Sequence, residues 1–187
     1  LVLALLDLAL FLQHWATHRV PLLWRVHQVH HADPDFDVTT AARFHPLEIA
    51  LSMLYKMAVV AALGPTALTV FVFEVVFVAA TVFVHANLSL PPALDRSARS
   101  AIVTPDMHRI HHSTLQRETN SNFGTMLSGW DRLFGTYRDR AQAGQDGLTI
   151  GLAEYQDERP LGLGWSLLLP FQRRAEQAGQ AKGPQSR

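Results

Sequence analysis

The chain has 187 residues, 16 basic and 16 acidic side chains, no cysteine, and a hydrophobic content of 48%. This length fits one domain, and a net charge of zero gives no reason to expect nucleic acid as a partner. The absence of cysteine excludes disulfides, iron–sulfur clusters and thiolate metal sites. A metal would therefore be held by imidazole and carboxylate groups, which suit iron, zinc or manganese.

Three apolar runs follow one another. The first, residues 1–12, contains Asp7 and has neither a basic segment before it nor a cleavage site after it, so we interpret it as a sequence that lacks upstream residues rather than as a signal peptide. The others, residues 47–63 and 66–84, are separated by Gly64-Pro65. Their length and composition favour membrane spans over buried core helices, and the Gly-Pro turn predicts a helical hairpin.

Two charged residues lie inside this hairpin. Lys56 is eight residues before Gly64 and Glu74 is nine residues after Pro65, so they lie at similar depth. A charge in lipid is costly unless it is paired, which predicts a Lys56–Glu74 contact. The alternative is that Lys56 extends along its helix towards water and that Glu74 is protonated or bonded elsewhere.

Basic residues indicate the orientation of the hairpin. The tip carries no charge, whereas the segments at the other end contain Arg19, Arg25, Arg43, Arg96, Arg99, Arg109, Arg117 and Arg132. By the positive-inside rule these segments are cytoplasmic, together with the histidines. After Pro91 the chain is polar. We expect a catalytic membrane domain at residues 1–155, an interfacial segment at residues 161–171 and a disordered tail from Gln172, the last two forming a second region, residues 156–187.

The histidines carry the main chemical signal. Two form an HxxxH pattern and six form two HxxHH patterns: His14, His18; His27, His30, His31; His108, His111, His112. On a helix, positions i, i+3 and i+4 share a face. Thr104 as N-cap, Pro105 and Asp106 predict the start of the helix that carries the last triplet.

Eight inward-facing imidazoles exceed the needs of one ion, which predicts a two-metal site. The alternative is a soluble, histidine-rich surface. His85, at the end of a span, is the ninth predicted ligand. For His45 two interpretations stay open: it ligates a metal, or it anchors the interface or supports a ligand.

The three motifs, in this order and with a hairpin between them, resemble the fatty acid hydroxylase / sterol desaturase superfamily of integral-membrane di-iron enzymes. Residues 20–31 look like its second histidine box and residues 104–113 like its last, and residues 120–124 and 130–137 are similar to bacterial members. The resemblance covers about residues 7–152. The upstream spans usual in the family are missing, which leaves part of the substrate tunnel in doubt.

This resemblance implies an all-α integral membrane helical bundle in the bacterial inner membrane, with a helical histidine-rich metal site on the cytoplasmic side. Its ligands would be His14, His18, His27, His30, His31, His85, His108, His111 and His112. It implies two iron ions, with zinc possible in a purified form. The enzyme would hydroxylate or desaturate a lipid C–H bond with O2. Its electrons would come from a separate ferredoxin, cytochrome or flavin reductase, because no such domain is fused to the chain.

Polar side chains near the motifs are candidates to hydrogen-bond the ligand imidazoles. They are Asp7, Asp33, Asp37, Asn87, Asp106, Asn120, Asn122 and Asp131, with His45 as a further candidate. For Asp33 and Asp106, helix capping and loop solvation are the preferred interpretation. For Asn120 and Asn122, orienting a ligand and capping a turn are equally supported.

Two other functions are considered. A membrane zinc hydrolase that uses a metal-bound water is disfavoured, because neither HxxHH motif contains the acidic residue usual in such enzymes. A metal-storage protein is disfavoured by the regular triplets beside apolar spans. The sequence does not distinguish sterol, fatty acyl, carotenoid and ether lipid substrates, or hydroxylation from desaturation.

Overall fold

The computed structural model describes residues 1–172, and within this range every regular element is helical. The α-helices are α1 Val2–Arg19, α2 Pro21–His31, α3 Pro46–Leu63, α4 Ala67–His85, α5 Pro92–Ala98, α6 Pro105–His111, α7 Gln116–Thr119, α8 Gly129–Leu133 and α9 Leu163–Leu168. Short 3-10 turns occur at Thr40–Ala42, Arg159–Leu161 and Leu169–Phe171. The prediction of an all-α fold is confirmed.

Helices α3 and α4 form the predicted hairpin. Gly64 ends α3 in the left-handed conformation, with φ of 61°, and the Thr66 hydroxyl accepts a hydrogen bond from Thr69 N at the start of α4. Of the helices described in residues 1–172, these two are long and apolar enough to cross a membrane. Their apolar side chains are mostly exposed, and Glu48 is the one buried residue of α3. Such surfaces suit contact with lipid rather than a soluble core.

Helix α1 contains the first apolar run but does not pass the same test. Its polar end carries Gln13, which donates a hydrogen bond to the Ser52 hydroxyl on α3. Nearer its start, the Ala9 carbonyl accepts a hydrogen bond from the Tyr55 hydroxyl at 3.0 Å. Helix α1 therefore lies along α3 and brings its histidines to the base of the hairpin.

The predicted ion pair across the hairpin is present. Lys56 Nζ lies 2.9 Å from both Oε1 and Oε2 of Glu74. A charge within an apolar span is compensated by a partner at the same depth.

Helix α6 begins where the sequence predicted, with Pro105 in its first turn. The prediction that Thr104 caps it is wrong with regard to the side chain: the Thr104 hydroxyl is buried and bonds none of the described residues. Val103 and Met107 instead pack against Val84 at the end of α4. This apolar contact fixes α6 beside the base of the hairpin.

The segment after residue 156 packs back on α2. Leu169 lies against Val29 and Ala32, and Arg43 donates hydrogen bonds to the Pro160 carbonyl and to the Ser166 hydroxyl. On the other side of this segment Leu161, Leu163, Leu168 and Phe171 are exposed. That distribution agrees with an interfacial position. The predicted tail falls on residues 173–187, outside the described residues.

Candidate metal centre

Nine histidines converge at the base of the hairpin in two groups. The five-histidine group is His14, His18, His27, His31 and His111, and the four-histidine group is His30, His85, His108 and His112. Within each group the ring nitrogens that face one another lie within 4.8 Å, so each group could hold one metal ion. The geometry therefore offers two adjacent sites with ligands from α1, α2, α4 and α6.

The two HxxHH triplets are each divided between the groups. In α2, His27 and His31 face the five-histidine group while His30 faces the other. In α6 and the following residue the arrangement is reversed, since His108 and His112 face the four-histidine group and His111 faces the first. The first and last histidines of each triplet, at positions i and i+4, thus share one group. The middle histidine, His30 or His111, belongs to the other group.

The free ring nitrogens fit metal ligation. Nε2 is buried without a hydrogen-bond partner among the described residues in His14, His18, His27, His31, His111 and His112. In the four-histidine group, Nε2 of His85 lies 3.3 Å from Nε2 of His30 and 3.1 Å from Nε2 of His108. Two nitrogens each about 2.1 Å from one ion are separated by about 3.0–3.4 Å. A cation bound in each group would account both for the unpaired buried nitrogens and for the close approach of Nε2 of His30, His85 and His108.

The opposite ring nitrogen has a hydrogen-bond acceptor in some of these histidines, whereas Nδ1 of His31, His108 and His112 has none among the described residues. Nδ1 of His14 donates to the Phe123 carbonyl at 2.7 Å, and Nδ1 of His111 donates to the Ser121 carbonyl at 2.8 Å. Nδ1 of His85 donates to the Thr81 carbonyl at 2.8 Å. A proton held on Nδ1 leaves the Nε2 lone pair free for a metal.

Glu48 provides a carboxylate acceptor that sequence analysis missed. Its Oε1 lies 2.5 Å from Nδ1 of His27, and both side chains are buried. The other oxygen, Oε2, has no partner among the described residues. The available signal was an acidic residue in the first turn of an otherwise apolar span, where burial of a charge requires a partner.

The loop from Ser121 to Gly124 is itself held firmly. Asp131 accepts hydrogen bonds from Phe123 N and Gly124 N at 2.8 Å each and from the Thr136 hydroxyl at 2.6 Å. Asn122, at a positive φ of 52°, donates from its amide to the carbonyls of Met107 and Arg138. Asp131 and Asn122 thus support His14 and His111 through the backbone rather than by touching the imidazoles.

The remaining candidates lie away from the imidazoles. Asp7 accepts from Trp130 Nε1, Asn87 accepts from Arg109, and Asp106 pairs with the same arginine. Asp37 is exposed and bonds Thr39, Asn120 donates to the Gln116 carbonyl, and Asp33 accepts from the Thr40 hydroxyl. These contacts organise helices and loops around the centre, and none of them joins a ligand imidazole. For Asp33 and Asp106 this agrees with the preferred interpretation.

His45 lies outside both groups. Its Nδ1 accepts a hydrogen bond from Leu47 N and caps α3, while its Nε2 lies 3.2 Å from the Leu167 carbonyl. Since Nδ1 is the acceptor, Nε2 carries the proton and donates to that carbonyl. The structure thus favours the interpretation of His45 as an anchor at the interface.

The centre is buried and apolar at its edges. Burial and the neighbouring imidazoles lower the pKa of His31, His108 and His112 well below the usual range, and burial lowers the pKa of His111 to about 3. The rings are therefore neutral near physiological pH and available as ligands. Phe44 stacks on His30 with ring centres 4.4 Å apart. The donor set, imidazole without thiolate, fits iron or zinc.

A cavity of about 220 Å³ adjoins the centre between α1, α3 and α4. Five histidines border it: His14, His27, His30, His85 and His108. The opposite walls include apolar residues such as Leu10, Ile49, Met53 and Phe77. We refer to this space as the inner cavity. It leads from the imidazoles into the apolar hairpin.

The sequence profile of the fatty acid hydroxylase family matches residues 1–136, which is most of the chain. The chain belongs to this family. Fatty acid hydroxylases are membrane-associated, which agrees with the two apolar helices of the hairpin. The predicted family resemblance is thereby confirmed.

Curated members of the fatty acid hydroxylase family include several similar proteins. The alkylglycerol monooxygenase of Xenopus tropicalis is 27% identical over 146 residues, covering 76% of this chain and 31% of the relative. The ornithine lipid hydroxylase OlsE of Rhizobium tropici is 29% identical, covering 73% and 40%. Human cholesterol 25-hydroxylase is 28% identical, covering 73% and 49%. The chain thus spans about a third to a half of the length of these relatives. No solved structure matches it significantly.

Proposed function

We propose that this chain is the metal-binding core of a membrane lipid hydroxylase. It would insert one oxygen atom of O2 into a lipid C–H bond and release the other as water, consuming two electrons and two protons. The observation that best supports this function is the pair of buried histidine groups that border an apolar cavity. The relatives' names describe hydroxylation and monooxygenation, which favours hydroxylation over desaturation.

We propose that each group holds one iron, with His14, His18, His27, His31 and His111 on one ion and His30, His85, His108 and His112 on the other. Two adjacent irons, when bound, supply the redox capacity that reduction of O2 requires. The chain itself fixes the ring orientations through the carbonyls of Ser121, Phe123 and Thr81 and through Glu48. The apolar walls of the inner cavity would exclude water and orient the lipid.

We further propose that residues 1–155 form the catalytic domain, and that residues 156–187 form an interfacial segment and a tail. Electrons would come from a separate ferredoxin, cytochrome or flavin reductase. The metal centre would face the cytoplasm of a bacterial inner membrane. The arginine-rich segments lie at the same end of the hairpin as the histidines, and by the positive-inside rule such segments stay in the cytoplasm. Because the chain lacks cysteine, Pro65→Cys and Arg140→Cys would test this. Only the first should react with an impermeant thiol reagent added to intact cells.

The function can be tested on the full chain purified anaerobically in lipid nanodiscs. We expect two irons per chain. We also expect one ¹⁸O atom in the product when the reduced protein meets ¹⁸O2 and a mixture of alkylglycerol, ornithine lipid and cholesterol. These probes follow from the relatives' names. Two zincs per chain, with an activity that persists without O2, would overturn the proposal and support a zinc hydrolase.

A further inference from the structure

The Lys56–Glu74 pair lies halfway along the hairpin, eight and nine residues from its tip. The two carboxylate oxygens of Glu74 each accept from Lys56 Nζ at 2.9 Å. Lys56 Nζ also lies 5.6 Å from the centre of the Phe77 ring. Ionisable residues inside an apolar span are expensive and mark a function. The ion pair is not part of the metal centre, because the two side chains bond each other and not the imidazoles.

The pair lies at a boundary between two spaces. Lys56 and Phe77 border the inner cavity, whereas Glu74 does not. A second cavity of about 500 Å³ between α3 and α4 is bordered by both Lys56 and Glu74. Its lining includes Met57, whose side chain is exposed on the lipid-facing surface. Lys56 and Met53 border both cavities, so the ion pair and Met53 lie between the cavity beside the histidines and the space that opens towards the membrane.

We propose that the Lys56–Glu74 pair is the floor of the inner cavity and sets the length of the apolar tail that a lipid substrate can place there. This proposal rests on the proposed function. Glu48 contacts His27 at the metal centre, and Lys56 follows it by eight residues, a rise of about 12 Å along the helix. An extended chain advances about 1.2 Å per bond, so about ten carbon atoms fit above the floor.

The hydrogen bonds in the cavity favour a floor over a site for a polar headgroup. Both oxygens of Glu74 are already bonded to Lys56. The amide of Gln13 donates to Ser52, and the Thr81 hydroxyl donates to the Phe77 carbonyl. A headgroup at the depth of the ion pair would meet a charge pair with no net charge and polar groups engaged with one another. The unpartnered Oε2 of Glu48 also borders the cavity, but it lies eight residues away, beside His27. An apolar tail requires no such partners.

The test replaces both charges together, because a single change would leave the other charge unpaired in lipid. Lys56→Ala with Glu74→Ala removes both charges and shortens both side chains, so it opens the floor of the inner cavity. The exchange Lys56→Glu with Glu74→Lys restores the bridge and serves as the matched control. Phe77→Ala provides an independent variant that lowers the floor without altering charge. Each is prepared as the full chain in nanodiscs, with iron bound.

The probes are saturated fatty acids and 1-O-alkylglycerols with tails of about eight to twenty carbons. Oxygenated products are measured by mass spectrometry, and tail binding is measured as the rise in Tm without electron donor. We expect Lys56→Ala/Glu74→Ala to move both length optima to longer tails by about four carbons, about one helical turn of depth. The exchanged pair should retain the original optima, and Phe77→Ala should shift them in the same direction.

The outcomes separate this proposal from the function on which it rests. Length-dependent stabilisation that moves with the variants, without any oxygenated product, would support the floor and overturn the oxygenase. Oxygenated products with the same length profile in every variant would overturn the floor alone. An equal loss of product at all lengths in the double variant would also overturn it, and would indicate recognition of a polar group.

Discussion

The two histidine groups are held in place by different parts of the molecule. In the five-histidine group, His14 and His111 bond the carbonyls of a loop after α6, and His27 bonds the Glu48 carboxylate. In the four-histidine group, His85 bonds a carbonyl of its own helix, and His30 stacks on Phe44. One site depends on the loop after α6 and on a carboxylate. The other depends on the end of a membrane helix and on the segment before α3, where the Arg43 carbonyl lies 3.3 Å from Nδ1 of His30. A substitution is therefore expected to act first on one of the two sites.

The largest effect is expected from His85→Ala, which removes one of four ligands from a single group. Iron should fall from two to one per chain, and hydroxylation should fall by more than about 100-fold, since even partners of ligands contribute 10–100-fold. Elemental analysis and product yield measure these changes. The control is His45→Ala, which should keep both irons and lose about 1 kcal/mol of stability through the lost cap. Two irons in His85→Ala would contradict the assignment.

Asp131→Asn should act mainly on the five-histidine group. Asparagine has an amide NH2 group in place of one carboxylate oxygen. This donor would face the backbone N–H of Phe123 or Gly124, which would then lose its acceptor. We expect a loss of about 2–3 kcal/mol in unfolding free energy, the cost of an unsatisfied buried group, and weaker iron binding near His14. Thermal unfolding with and without iron checks both effects. Equal weakening of the two groups would argue against the role of this loop.

Glu48→Gln should lower the metal affinity of the five-histidine group by about tenfold. The amide oxygen still accepts from His27 but carries no charge, so the imidazole becomes a weaker donor to the metal. Competition with a chelator would show one tightly and one weakly bound iron. Glu48→Ala, which removes the acceptor, should show a larger loss. A variant that holds both irons as tightly as the parent protein would disprove the link through His27.

The smallest effect is expected at the start of α6, which carries ligands of both groups. The Thr104 hydroxyl is buried without a partner among the described residues. Thr104→Val removes it at nearly constant shape, so the change in stability should lie between zero and a gain of about 1 kcal/mol. The Tm of the variant measures this, and both irons should stay bound. A marked loss of stability would indicate that the hydroxyl has a partner, such as a water molecule.

The sequence predicted much of this arrangement, because the i, i+3, i+4 spacing of histidines and the apolar runs are local signals. It placed each HxxHH triplet on one stripe, whereas the structure divides each triplet between two groups. That division depends on where α2 and α6 stand relative to each other. Glu48 and the carbonyl of Phe123 were missed for a similar reason. They approach their histidines across 21 and 109 residues, and such contacts depend on packing rather than on pattern.

The division of each triplet has a consequence for assembly. Both α2 and α6 carry ligands for both ions. When the first ion orders these helices, it therefore also positions the ring nitrogens that bind the second ion. Much of the conformational entropy of these helices is lost when the first ion binds, so the second ion has less entropy to overcome and should bind more tightly than the first. Iron uptake by the parent protein is then expected to be cooperative, and the single iron left in His85→Ala should bind more weakly than either iron of the parent protein. The rigid spacing of the helix turn would also keep the distance between the ions constant.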